Sequence, residues 1–294
     1  MFRLAQVSDP HFQSFRNVKL RDLLGKRALG GLNLLLMRRR KHNMMFLQAL
    51  LADLPSRAVD HLAITGDLCN IALESEWAAA LRWIEATHLP ADRVTVIPGN
   101  HDAYVPKVVK DGVFERLFAS FQTAELRADQ ANYPFVRIRG EVALVCTSTA
   151  VPTGDAGAWG RVGESQLVRL ESLLTTPEVK SRRRVVLIHH PPLVNRHGEE
   201  RNLRDRAAVQ AMLARTGAEL VLHGHDHRDF FNDLPGPAGA RIPVVGAGSA
   251  SYDGPRHSRS RYNIYEITDA AITVITYVHD PASNTFSEFG RKTL

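Results

Sequence analysis

Val94-Thr95-Val96-Ile97-Pro98-Gly99-Asn100-His101-Asp102 is a β-branched apolar run that breaks into a glycine turn carrying an amide, an imidazole and a carboxylate in succession. Such a run, bounded by Pro and Gly, reads as a buried strand ending in a loop. Four other places repeat it. Leu4-Ala5-Gln6-Val7 leads into Ser8-Asp9-Pro10-His11, and Leu62-Ala63-Ile64-Thr65 leads into Gly66-Asp67. Val185-Val186-Leu187-Ile188 precedes His189-His190-Pro191-Pro192, and Leu220-Val221-Leu222 precedes Gly224-His225-Asp226-His227. In open α/β sheets, residues scattered in sequence meet beyond the carboxyl ends of the strands. Convergence of the five clusters on one place is therefore the economical explanation.

Asp9, His11, Asp67, Asn100, His189, His225 and His227 offer carboxylate, amide oxygen and imidazole. These donors suit Mn, Fe, Zn or Mg, whereas copper(I) and iron–sulfur sites want thiolates. Cys69 and Cys146 are the only cysteines, at a spacing that matches no zinc knuckle or disulfide framework. Reduced thiols in a cytosolic protein are the plain reading.

In this order the clusters resemble the calcineurin-like metallophosphoesterase superfamily, whose pattern runs Asp-x-His, Gly-Asp, Gly-Asn-His-Asp/Glu, His and Gly-His-x-His. The resemblance spans residues 4 to 227. It implies an α/β fold, a four-layer α/β/β/α sandwich of two facing mixed β-sheets with helices outside. It also implies two divalent metal ions, Mn or Fe in preference to Zn. Asp9, His11 and His227 would hold one, Asn100, His189 and His225 the other, and Asp67 would bridge them. Two cations about 3.5–4 Å apart clamp the attacking and leaving oxygens of an in-line displacement and lower the pKa of bound water to about 7. A metal-activated hydroxide is then available at neutral pH, with Asp67 and His101 as the catalytic residues. His101 takes the role of general acid, facing the phosphate from the side.

The resemblance places the fourth ligand in His-x-Pro, which favours His189 over His190. His190 would then contact substrate or support a ligand. His223, on the strand side of Gly224, reads as a packed histidine. Asp102 either orients His101 or caps the next segment, and the cap is preferred because adjacent side chains seldom bond well. Pro10 stands where the family often has Leu, fixing φ but leaving both flanking ligands in place. Asn70, Asp102, Tyr104, His190, Arg196 and His197 are the candidate substrate contacts.

The chain has 294 residues, 44% hydrophobic and 23% charged, enough for one large core. A single domain over 1–294 is the expectation. Met1-Phe2-Arg3-Leu4 enters the first strand without the regions of a secretory signal. The longest apolar candidate, Ala28 to Met37, is interrupted by Gly30, Gly31 and Asn33 and is too short for a bilayer, which needs roughly 20 residues. A cytoplasmic location is expected.

Between the first two strands lies an insertion at 16–41 in which nine basic side chains face one acid, Asp22, a net +8. The whole chain is +6, so the remainder sums to about −2 and the basic character belongs to this one element. Leu20, Leu23, Leu24, Leu29, Leu32, Leu34, Leu35, Leu36 and Met37 interleave with the charges, giving an amphipathic helix or helix pair broken around Gly30-Gly31. Such a segment either covers a sheet edge with solvated arginines outside, or lies on anionic lipid at the inner face of the membrane. Nucleic acid is disfavoured, because no aromatic residues interleave with the charges.

Apolar spacing predicts helices over Glu74–His88, Gly163–Leu174 and Leu203–Ala214, and a further helical stretch over Pro106–Leu126. Phe135–Ile138 and Val142–Cys146 predict a hairpin through Gly140. Arg228–Asn232, Ile242–Val245, Tyr262–Ile267 and Ile272–His279 alternate as antiparallel strands of a second sheet, with Leu234–Ala240 as a turn. Gly246-Ala247-Gly248-Ser249 reads as a packed strand end, and Asn284–Leu294 as a mobile tail.

The sequence Gly66-Asp67-Leu68-Cys69-Asn70 lacks the arginine of the Gly-Asp-x-Val-Asp-Arg-Gly motif found in protein phosphatases of the superfamily. With Asn70 and His-His-Pro-Pro, the layout resembles the bacterial phosphodiesterase branch. A small-molecule phosphodiester such as a cyclic nucleotide is the first expectation for the substrate. The insertion resembles, more loosely, that of bacterial enzymes which split a UDP-diacylglucosamine, so a nucleoside-diphosphate-linked lipid cleaved at the membrane surface is the second.

Overall fold

The computed structural model describes residues 1–14, 27, 41–153, 157–194, 198–255 and 257–294. Arg196, His197 and all of the basic insertion except Arg27 and Lys41 lie outside the described residues.

Strands β1 (Phe2–Val7), β2 (His61–Thr65) and β3 (Val94–Ile97) run parallel, side by side. Parallel neighbours need a crossover, and α1 (Met44–Asp53) and α2 (Glu74–Glu85) lie on the first and second of these. Asn43 caps α1 by accepting the Met45 N–H at 3.0 Å. At α2 the Glu76 carboxylate reaches back to the Leu73 and Ile71 N–H groups at 3.0 and 3.1 Å. Trp77, Ala80, Trp83 and Ile84 of α2 recur at helical spacing and are buried.

The other side of β1 pairs antiparallel with β11 (Arg261–Ile267), and β12 (Ile272–Asp280) and β13 (Thr285–Thr293) extend the sheet, giving the order β13-β12-β11-β1-β2-β3. The second sheet takes β4 (Leu126–Arg127), β5 (Phe135–Arg139), β6 (Val142–Cys146), β7 (Arg183–Leu187), β8 (Leu220–His223), β9 (Phe230–Pro235) and β10 (Arg241–Gly246), in the order β4-β5-β6-β7-β8-β10-β9. Helices α3 (Pro106–Lys110), α4 (Val113–Leu117), α5 (Glu164–Thr175), α6 (Pro177–Lys180) and α7 (Arg206–Thr216) are the other α-helices among the described residues.

Period-two alternation builds the layers. Leu4, Ala63, Leu144, Val185, Leu187, Leu220 and Leu222 share one cluster between the sheets, without a residue from α1, α2, α5 or α7. Their strand neighbours Ala5, Leu62 and Ile64 pack with Leu50, Trp77 and Trp83 of α1 and α2. Ala143, Val145, Val186 and Val221 pack with Leu170, Leu173, Val209 and Leu213 of α5 and α7. This is the four-layer α/β sandwich, two mixed sheets with helices outside. Among the described residues, no helix is long and apolar enough to cross a membrane.

Several expectations are corrected. Tyr262–Ile267 and Ile272–His279 join the first sheet beside β1, and Ile242–Val245 runs parallel to β8, so the four late strands are not one antiparallel set. Alternation specifies a strand but not its neighbour. The presumed mobile tail is the edge strand β13, whose Phe286 is buried while its other residues are mostly exposed, as an edge allows. Pro106–Leu126 is two short helices, broken where Gly112 takes φ +56°. Helix α1 had drawn no expectation.

Candidate metal centre

All five clusters sit at the carboxyl ends of parallel strands, three from the first sheet and two from the second. Backbone hydrogen bonds lock the loops together. Asp9 N–H donates to Gly66 O (3.1 Å), His11 N–H to Asp67 O (3.1 Å) and Gly224 N–H to His189 O (3.1 Å). Between sheets, Ala250 N–H donates to Ser8 O at 2.9 Å and the Ser249 hydroxyl to Asp9 O at 2.7 Å. Five of the candidate ligands, Asp9, His11, Asp67, His225 and His227, have left-handed backbone, with φ between +44° and +71°. Such geometry is costly for a residue with a Cβ and collects at functional sites. Gly99 is required for another reason: a Cβ there would stand 2.3 Å from Asp67 Oδ1 and 2.7 Å from His189 Cε1.

The side chains converge on Asp67 from two sides. Its Oδ2 lies 3.8 Å from His11 Nε2, and its Oδ1 lies 3.5 Å from His189 Nε2. On the first side His227 Nε2 is 3.0 Å from His11 Nε2 and 3.3 Å from Asp9 Oδ1. On the second, Asn100 Oδ1 is 3.2 Å from His189 Nε2 and 3.0 Å from His225 Nδ1.

Which ring nitrogens carry protons is decided by their partners, since a carbonyl only accepts. His11 donates Nδ1–H to Cys69 O, His189 donates Nδ1–H to Thr65 O, and His225 donates Nε2–H to Arg201 O. In the neutral rings of His11 and His225 the opposite nitrogen keeps its lone pair, on the side of Asp67 and Asn100, while in His189 the opposite nitrogen faces Asp67. Orientation of a ligand imidazole by an oxygen behind it is the usual arrangement at metal sites.

Electrostatics agrees. Burial, with His42 next, holds His11 well below the usual imidazole range, and burial with His190 does the same for His225. Burial works against the Asp67 carboxylate, but His189 and its other histidine neighbours keep it well below its ordinary value. Burial likewise opposes a charge on His189, and Asp67 outweighs it, raising that imidazole to about 9. A proton on His189 thus stands where a cation would sit. Among the described residues, the ion pairs of Asp9 and Asp67 are with histidines alone. Two groups of donors, Asp9/His11/Asp67/His227 and His189/His190/His225, have ligand atoms within 4.8 Å of one another. The donor set fits a pair of divalent ions.

His101 donates Nδ1–H to Asn70 O at 2.5 Å, leaving Nε2 as the proton-transfer atom, and its ring stacks on Tyr104 at 5.9 Å. Tyr104 is half-buried beside it.

Three proposed substrate contacts face the protein instead. Both ring nitrogens of His190 are engaged, Nδ1 with Thr149 Oγ1 at 2.6 Å and Nε2 with Ala158 O at 3.0 Å. The Asn70 amide donates to His11 O and Phe12 O. The Asp102 carboxylate neither orients His101 nor caps the next segment. It accepts N–H bonds from Leu68, Cys69 and Gly99 at 3.1, 3.2 and 2.9 Å, tying the second and third loops together. A short acid in a glycine turn reaches back to the adjacent loop more readily than forward to a helix. His223 is packed, with a 5.5 Å ring contact to Phe230. Arg196 and His197 lie outside the described residues.

Sequence reasoning missed His42. It is buried, its ring centroid lies 4.6 Å from that of His11 and 5.6 Å from that of His227, and a ring nitrogen falls within 4.8 Å of theirs. No turn motif marks it. The isolated bridge between His42 and Tyr252 and the contact of its Nδ1 with Ser251 Oγ bring it to the site.

The model of the calcineurin-like phosphoesterase family matches residues 2–229. No curated protein matches the chain in sequence. Among solved structures, a dimetal phosphatase from Danio rerio superposes with a TM-score of 0.62 at 13% identity, covering 99% of this chain and 98% of that one. The purple acid phosphatase PPD1 from yellow lupin seeds gives 0.62 at 13% identity over 99% of this chain, which spans 53% of the lupin protein. GAP50, described as the anchor in the inner membrane complex of Plasmodium, gives 0.57 at 11% identity, covering 100% of this chain and 88% of that one. At such identities these likenesses speak for the fold.

Proposed function

The chain belongs to the calcineurin-like phosphoesterase family, and from that premise we propose that it is a dinuclear-metal phosphodiesterase acting on a small-molecule phosphodiester, such as a cyclic nucleotide. One observation carries the two-metal part: Asp67 lies between the two donor groups, Oδ2 3.8 Å from His11 Nε2 and Oδ1 3.5 Å from His189 Nε2, where it would be shared by a pair of ions. Asp9, His11 and His227 would hold one ion, and Asn100, His189 and His225 the other. When bound, the pair supplies Lewis-acid polarisation of the phosphoryl group and activation of water.

The chain's own residues do the rest. Asp67 holds the two halves in register and accepts the His101 N–H at 2.8 Å, fixing the turn from which His101 projects. His101, oriented by Asn70 O and Tyr104, delivers a proton from Nε2 to the leaving alkoxide. The missing arginine after Asp67 supports a diester over a phosphoprotein. The test compares bis(p-nitrophenyl) phosphate with p-nitrophenyl phosphate, in the parent, Asp67→Asn and His101→Ala, alongside metal analysis. Asp67→Asn turning over as fast as the parent would refute the bridging role, and preference for the monoester would refute the diester assignment.

A second reading, cleavage of a nucleoside-diphosphate-linked lipid, is favoured by a cavity of about 790 Å³ in which Leu73, Trp77, Val105, Val108 and Leu117 offer an apolar floor among the charged Arg27, Glu74, Arg82, Lys107, Asp111 and Arg116. Its walls continue the loops that carry Asp67 and His101, so an acyl chain could lie there while its phosphates met the metal pair. Flotation with anionic vesicles that weakens with salt, together with turnover of a nucleoside-diphosphate lipid, supports it. Equal recovery with neutral vesicles counts against it.

A further inference from the structure

The backbone at the end of the basic insertion is built into the metal centre. Lys41 O accepts the Asp253 N–H at 2.6 Å and Asn43 N–H donates to Ser251 O at 2.8 Å, so residues 41–43 run as a short ladder along the loop after β10. That loop is itself fixed to the first cluster, because the Ser249 hydroxyl bonds Asp9 O and also accepts the Ser251 N–H at 3.3 Å. His42 projects from the ladder into the site, only 6% exposed, with Nδ1 held 2.8 Å from Ser251 Oγ. His11, His189 and His225 show the same design, an oxygen behind one nitrogen with the other nitrogen turned into the site.

From this juxtaposition we propose that His42 is a third imidazole ligand of the first ion, joining His11 and His227 there with Asp9 and the bridging Asp67. The two halves are then unequal. The first gathers three imidazoles and two carboxylates, the second two imidazoles, an amide oxygen and the shared carboxylate. Imidazole suits Zn and Fe, whereas Mn is better served by oxygen donors. The first site therefore selects Fe or Zn, and the second accepts Mn.

This inference rests on the two-metal reading, and the experiment separates their failures. Metal-free protein is titrated with Co(II) against a chelator of known affinity, giving a dissociation constant for each site, and the proton NMR spectrum of the loaded protein records the shifted imidazole N–H signals. In His42→Ala one site weakens by at least about 10-fold, the other is unchanged, and the parent spectrum loses one shifted signal. Ser251→Ala, which keeps the imidazole but removes the oxygen behind it, weakens the same site by about 10-fold, within the range typical of such supporting partners; it carries the test if His42→Ala does not fold. Unchanged affinities in both variants, or equal weakening of both sites, would overturn the role of His42 while leaving two metals in place. A parent that takes up no Co(II) would remove the dinuclear reading and this assignment with it.

Discussion

Replacing His190 by Gln isolates the contribution of one buried imidazole. Burial first, and the neighbouring His189 second, push His190 down to about 3, against an ordinary value of 6.5. Its depressed value means that the unfolded chain takes a proton at a pH where the folded one refuses it. The stability this gives is fully present above about pH 6.5 and is lost as the pH falls towards 3. Between about pH 7 and about pH 5 the loss from this one group is roughly 2 kcal/mol. That is a large share of a typical stability of about 5–15 kcal/mol. Urea unfolding of chelator-treated protein, repeated across that pH interval, measures it. His190→Gln starts less stable, because the bonds to Thr149 and Ala158 are disturbed, but the gap to the parent narrows by about 2 kcal/mol on acidification. Parallel lines for the two proteins would show that His190 takes up its proton in the folded state, contradicting its sealed environment.

Gly99→Ala places a Cβ against Asp67 and His189, so diester hydrolysis should fall by about 100-fold, the scale of an ångström-sized misplacement; full activity would mean that the turn yields freely. Asp102→Ala strands three buried N–H groups and should cost about 3 kcal/mol or more in urea unfolding, whereas a loss under about 1 kcal/mol would show that water replaces the carboxylate. Each half of the centre draws donors from both sheets, so metal ties the sandwich together. A metal concentration about 100 times the dissociation constant should add about 2.7 kcal/mol of stability, and calorimetry should show a Tm that rises with added metal and drops with chelator; no shift in Tm would sink that expectation.

The ligand loops were legible because each succeeds a short apolar run closed by turn residues, and because strand ends in an α/β sheet share one side. Helices α2, α5 and α7 were legible through their apolar spacing, to within a few residues at each end. The assignment of β11 and β12 to a sheet was not, since Tyr262, Ile264, Val274 and their neighbours alternate equally well in either. Phe286 alone could not reveal that the polar stretch from Thr285 to Thr293 is a paired edge. At the site, residue type announced the donors but not their surroundings. His190 and Asp102 look like substrate groups in one dimension, and only the position of Thr149, Ala158 and Gly99 shows their bonding capacity already spent. His42 was invisible because its place depends on Ser251, some two hundred positions away.

The left-handed backbone at Asp9, His11, Asp67, His225 and His227 costs about 1 kcal/mol at each position. The same side chains return that cost locally, since Asp67 accepts the His101 N–H and Asp9 the His225 N–H. Strain and bonding are therefore inseparable in these turns: a glycine would relax the chain and in the same stroke strand the amides that give the loops their shape.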